Sequence, residues 1–237
     1  SILLMLTLGL KGGLALHGQV SWQLLPEVVV VILIGIAIPL AVYPIVRKLA
    51  GLNAADSASL AAHYGSASAG TFAVALAFAE ANNLPIAPQT TLYLVLLELP
   101  AIVVAIMIYR KVTGSTAKAS AIWHEALTSR GVVLLAGGLL IGYWYGPEGS
   151  AAISPLFLGA FKALLALFLL EMGLCVSKHL NPFPIKHWRL IGFALVAPVI
   201  LATIGISLGV LLGLPAGSSL ILGSLVASAS YIAAPAA

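Results

Sequence analysis

The sequence predicts an all-α fold: a polytopic bundle of membrane helices built as two inverted repeats, each with one broken helix. Three observations lead there. Of the 237 residues, 61% are hydrophobic and 8% charged, against about 45–50% apolar and about 25% charged in soluble domains. The apolar stretches run to about 20 residues, enough for a helix to cross ~30 Å of hydrocarbon, and the alternating ~10-residue pattern of a barrel is absent. Finally, residues 49–68 and 211–230 are one stretch written twice. LAGLNAADSASLAAHYGSAS and LLGLPAGSSLILGSLVASAS agree without a gap at 9 of 20 positions, at a constant offset of 162.

Pro, Gly and charge clusters divide the chain into eight apolar segments, at 1–16, 26–46, 57–80, 90–109, 132–146, 155–177, 189–213 and 218–237. The first holds Lys11 and the second ends at Arg47 and Lys48. The third is interrupted by Gly65 and Gly70. In the fourth, Glu98 is followed by Pro100. The fifth starts beyond the longest polar stretch, and the sixth carries Lys162, Glu171 and Cys175. The seventh begins at Arg189, and the eighth repeats the interruption of the third. If each segment crosses once, alternate loops share a side. One side then collects Arg47, Lys48, Arg110, Lys111, Lys118, Arg130, Lys178, Lys186 and Arg189, nine of the eleven basic residues. By the positive-inside rule the loops at 47–48, 110–131 and 178–189 are cytoplasmic, which makes the protein a multi-pass component of the inner (plasma) membrane. The net charge of +4 therefore reads as orientation, not as a nucleic-acid footprint. Cys175, the one cysteine, lies in an apolar run and reads as an inert thiol.

Residues 111–131, KVTGSTAKASAIWHEALTSRG, form the linker between a first repeat at 1–110 and a second at 132–237. A second echo, Gly9-Leu10 against Gly173-Leu174 at an offset of 164, supports the duplication. Segments 132–146 and 90–109 lack partners unless a helix precedes Ser1 and another follows Ala237. The expected whole is ten helices, of which this chain holds helices 2–5 and 6–9. Five helices per half is an odd number, so the second half inserts upside down, the plan of secondary transporters.

The two breaks are the candidate site. Glycine costs about 1 kcal/mol relative to Ala in a helix, and Ser and Thr compete for backbone hydrogen bonds. The run Ser66, Ser68, Ala69, Gly70, Thr71 therefore favours an opening near the midplane, and the freed amides of the second half-helix suit a small anion. The counterpart Ser228, Ser230, Tyr231 is followed by Pro235, which removes a backbone donor. Small residues that merely permit close helix packing are the competing reading. Charges inside apolar segments cost at least ~2.5–3.5 kcal/mol at mid-bilayer, so they usually face a cavity or a partner. Glu98 is a candidate for sodium binding or helix pairing. Glu80 and Lys162 fit snorkelling positions, Lys11 and Glu171 fit an ion pair across the axis, and His63 fits a hydrogen-bonded structural residue. Enzymatic signatures are missing: after His124-Glu125 the second histidine of a zinc-protease motif is replaced by Thr128, and no metal or organic cofactor is expected.

The chain resembles the sodium-dependent bicarbonate transporters and their wider relatives. The likeness rests on LTLGLKGGLAL (6–16), GSASAGTFAVAL (65–76) followed by Glu80, LELPAIVVA (97–105), LLEMGL (169–174), LVAPVILATIGISLG (195–209) and ASASYIAAP (227–235). It implies a core moving against a scaffold, a homotrimer, sodium-coupled uptake of bicarbonate, and a PII-like regulatory protein docking on the cytoplasmic face. It also implies that Ser68, Ala69, Gly70, Thr71, Ser228 and Ser230 form the substrate and sodium pocket. Where the bicarbonate transporters carry an acidic residue after the second serine run, this chain has Tyr231, and its linker of 21 residues is shorter than theirs. The expected function is secondary active transport of bicarbonate or a similar small anion across the bilayer, with Na+ as coupling ion. A permease for a small organic carboxylate and a non-transporting membrane ligand sensor stay open as alternatives.

Overall fold

A computed structural model describes residues 2–114, 124, 127–179 and 188–230, all of it helix and connecting loop with no strand among them. The helices are α1 Ile2–Leu16, α2 Leu25–Leu49, α3 Ala54–Gly65, α4 Ala69–Ala81, α5 Leu92–Thr113, α6 Arg130–Gly149, the single turn α7 Ser154–Phe157, α8 Phe161–His179, α9 Trp188–Leu211 and α10 Ala216–Ala227. Three stretches, Leu25–Leu49, Pro88–Val112 and Trp188–Leu211, are long and apolar enough to cross a membrane. Leu195, Val199, Val210 and Leu211 of α9 point outward, exposed, an apolar surface suited to lipid. The linker positions 115–123 and 125–126, together with Tyr231 and Pro235, lie outside the described residues.

Both interruptions anticipated from the serine runs are present. The segment expected at 57–80 is two helices, α3 ending at Gly65 and α4 starting at Ala69, with Ser66 and Ser68 in extended backbone between them. α10 ends at Ala227, after which Ser228 is extended. The start and end of α3 and of α10 differ by the same 162 positions as the sequence match.

Small residues set how the helices pack. α1 and α6 cross in the same direction, with Gly9 and Gly13 against Gly138 and Gly142. A methyl on Gly13 would lie 2.7 Å from the Tyr143 nitrogen, and one on Gly138 2.7 Å from the Leu6 carbonyl. Backbone meets backbone, as in small-xxx-small helix pairs. α6 bends at Gly146, whose φ of +62° is open only to glycine without strain. There the His17 ring packs on the backbone and Nδ1 approaches the Tyr143 carbonyl at 2.6 Å. α2 packs on α3 through Pro39 against Gly65, and α9 on α10 through Gly205 against Gly223 and Gly209 against Ser219.

Arg189 Nη1 donates to the Leu49 carbonyl at 3.3 Å, so the end of α2 lies beside the start of α9 and these two helices run antiparallel. At the far end of α2, Glu27 accepts from Tyr93 Oη at 2.6 Å and from Gln89 Nε2 at 3.0 Å. Ser218 Oγ accepts from the Ala87 amide at 2.8 Å and pairs with Thr90 Oγ at 2.8 Å, and Gly217 N–H donates to the Pro85 carbonyl at 2.9 Å. The 82–91 connection thus anchors the start of α10 and directs its other end toward the first break.

One pairing differs from expectation. Lys11 does not meet Glu171; its Nζ bonds Glu80 Oε1 at 2.5 Å and lies 4.9 Å from the centre of the Phe161 ring. Phe161 opens α8 and Glu171 lies ten residues further along it, roughly 15 Å at the rise of a helix. Lys11 is therefore level with the wrong end of α8, while the last turns of α4 bring Glu80 within reach.

Candidate functional site

The site forms because α3 cannot continue past Gly65. Ser68 takes over as the N-cap of α4, its Oγ accepting from the Thr71 amide at 3.2 Å, while its carbonyl accepts from Phe72 N–H at 2.9 Å. The Ser68 amide donates to Ser228 Oγ at 2.9 Å, which ties the first break to the second. Ser228 Oγ in turn donates to the Leu225 carbonyl at 2.8 Å. The Ala69 and Gly70 amides have no hydrogen-bond partner among the described residues. They are the free donors of a helix N-terminus, where the backbone dipoles sum to about half a positive charge.

These amides open on a small cavity lined by Met5, Ala67, Ser68, Ala69, Gly70, Glu98, Phe168 and Ser230. The room for the centre of a water-sized sphere is about 10 Å³, enough for about one water or one small ion. Phe168 of α8 closes it on one side, its ring set against the bare Cα of Gly70. Ser230 on the opposite wall is joined to α3, its N–H donating to the His63 carbonyl at 2.7 Å.

Glu98 supplies the negative charge. It is 2% exposed, and no cation or hydrogen-bond donor faces it among the described residues. Its Oε1 lies directly on Gly131, where any Cβ would collide with it. Gly131 is in the first turn of α6, so the carboxylate rests at a second helix N-terminus, a setting that favours an anion. The site thus places oxygen donors from serine and carboxylate beside unpaired amides, a pairing that suits a hard cation next to a small anion.

The structure brings Ser68, Ala69, Gly70, Ser230 and Glu98 to one cavity, as the two-break reading anticipates. Ser228 acts one step back, through the Ser68 amide. Ser66 is fully buried with an Oγ that has no partner and does not line the cavity. The Thr71 side chain is exposed, and only its amide takes part. Tyr231 lies outside the described residues. Met5 and Phe168 had no signal in the sequence, being apolar residues in apolar helices, and nothing in the chain marks Gly131 as the seat of Glu98.

The cap on α4 is testable by itself. Replacing Ser68 with Ala is expected to cost about 1 kcal/mol of stability, as for other lost N-caps, whereas Ser68→Asn preserves it. Thermal unfolding in detergent checks this, and equal melting of the Ala variant and wild type would remove the capping role.

Comparison with curated proteins gives no match. The family model of the Na+-dependent bicarbonate transporter superfamily, however, matches residues 1–237, the whole chain. Both its span and the site's combination of cation-type and anion-type donors agree: the chain belongs to the Na+-dependent bicarbonate transporter superfamily.

Proposed function

We propose that this membrane protein is a secondary active transporter that couples sodium to uptake of bicarbonate or a similarly small anion by alternating access. The observation that supports this most is the cavity in which the free amides of Ala69 and Gly70, Ser68, Ser230 and the Glu98 carboxylate meet. The amides attract an anion, and the serine oxygens with Glu98 hold a sodium ion. Burying either ion alone is costly, and burying both together cancels most of that cost. An element that moves only when both are bound is a symporter, because its equilibrium follows the differential affinity of its two states.

The small size of the cavity favours a compact anion over a bulkier organic carboxylate. Catalysis is disfavoured by the direction of His63, whose Nδ1 faces the Ser230 carbonyl and not the hydroxyl it would need to activate. The reading carries with it inverted repeats at 1–110 and 132–237 with the linker 111–131 between them, and the antiparallel course of α2 and α9 supports it. It also carries a plasma-membrane location with loops 47–48, 110–131 and 178–189 cytoplasmic, a homotrimer, and a PII-like protein as cytoplasmic regulator.

Labelled bicarbonate uptake into proteoliposomes is expected to require an inward sodium gradient and to fall to the level of empty liposomes when potassium or choline replaces sodium. Equal uptake in all three salts would remove the coupling. Thermal stabilisation by bicarbonate with no flux in any salt would make the protein a ligand sensor.

A further inference from the structure

The two breaks are not held alike, and His63 is the reason. Ser230 is gripped from both sides of its peptide plane by this one residue: its N–H donates to the His63 carbonyl at 2.7 Å, and its carbonyl is met by His63 Nδ1. A carbonyl can only accept, so Nδ1 carries the proton. In an ordinary strand-like pair the second bond would come from the main-chain N–H of residue 63. That N–H lies inside α3 and is committed to the helix ladder, so the ring supplies the donor in its place.

The position 162 residues along is Leu225, fully buried and without a donor. The first break therefore has no equivalent grip, and the asymmetry shows in the serines. Ser228 Oγ has two partners, the Ser68 amide and the Leu225 carbonyl. Its counterpart Ser66 Oγ is fully buried with none, because the Ser230 amide it would cap is already bound to His63.

We propose that His63 is a positioning residue that clamps the main chain of Ser230 to α3 and so sets the wall of the cavity opposite Ala69 and Gly70. This rests on the reading of that cavity as the transport site. The clamp makes α3 and the second break one body, leaving the first break as the part that adjusts around a bound ion. It does not touch the ions; it sets the spacing between the donors that do.

The chemistry selects the variants. An Asn amide nitrogen falls close to where Nδ1 sits, a Gln amide reaches past it toward the Nε2 position, and Leu copies the residue at the other break. In the full-length protein, amide hydrogen exchange of residues 225–230 is expected to quicken about tenfold in His63→Leu and His63→Gln, the worth of one buried hydrogen bond, and to stay slow in His63→Asn. In proteoliposomes the KM for bicarbonate is expected to rise about tenfold in the Leu and Gln variants, with turnover changed less, and to be restored by Asn. Slow exchange in His63→Leu overturns the clamp. A folded Asn variant as impaired as Leu also overturns it, because the donor at the Nδ1 position would then be irrelevant. Should wild type carry no bicarbonate in any gradient, the transport reading fails while the exchange measurement still decides the clamp.

Discussion

Replacing Glu98 with Gln is expected to lower sodium-dependent uptake by about 100-fold while leaving the protein folded. The two side chains have nearly the same shape, so packing against Gly131 persists; the lost property is a negative charge in a cavity of about 260 Å³ that includes its open mouth. A unit charge ~4 Å from a cation is worth about 4 kcal/mol at an effective dielectric near 20, an upper figure for what coupling to sodium can gain here. Part of it is offset because Gln is the cheaper group to bury at 2% exposure. The measurement is initial uptake rate against sodium concentration. The half-saturating concentration should move beyond the accessible range, with thermal stability equal to or above wild type. A normal sodium curve would take Glu98 out of the ion site and leave it as a partner for the α6 N-terminus alone.

Gly142→Leu is expected to cost at least about 3 kcal/mol and to deplete folded protein, the largest stability effect in the molecule. A Cβ there would stand 2.8 Å from the Leu14 nitrogen and closer still to the Leu10 carbonyl, and backbone cannot swing aside as a side chain does. Overpacked cores typically lose 1–3 kcal/mol; here the whole α1–α6 crossing must separate, because the neighbouring contacts at Gly9, Gly13 and Gly138 are backbone as well. The control lies in the same helix. Gly137 has open space where its Cβ would be, so Gly137→Ala should be neutral or stabilise by roughly 0.5–1 kcal/mol through helix propensity. Melting curves and the monodisperse fraction on size exclusion decide it. Similar behaviour of the two variants would mean that the crossing is not close-packed.

Much of the architecture was legible because it is local or repeated. The ends of α3 and α10 follow from glycine and serine runs that no continuous apolar helix favours, and the match at a fixed offset identified two breaks where either alone is ambiguous. Glu98 stood out because a carboxylate is expensive in an apolar helix. Loop charges could be sorted by side, and Arg189 does meet the end of α2. The failures are of another kind. Lys11 was matched to Glu171 by repeat position, but pairing depends on how far along α8 each residue falls, a distance set by how α1 lies against its neighbours. Thr71 belongs to the serine run by type, yet its side chain points away, since in a helix each residue turns about 100° from the last.

By itself the sequence determined the class of molecule: apolar helices of membrane length, a duplication, and two interruptions rich in small hydroxyl residues, because hydrophobic length and backbone preference act over a few neighbouring residues. Only the tertiary structure decided what the interruptions enclose. That Ser68, Ser230 and Glu98 share one cavity, that Gly131 and Phe168 bound it, and that His63 grips one break and leaves the other loose all depend on contacts between residues far apart in the chain. Such contacts are set by which surfaces can approach closely, and here that is decided by glycine, whose missing side chain records a close approach without naming its partner.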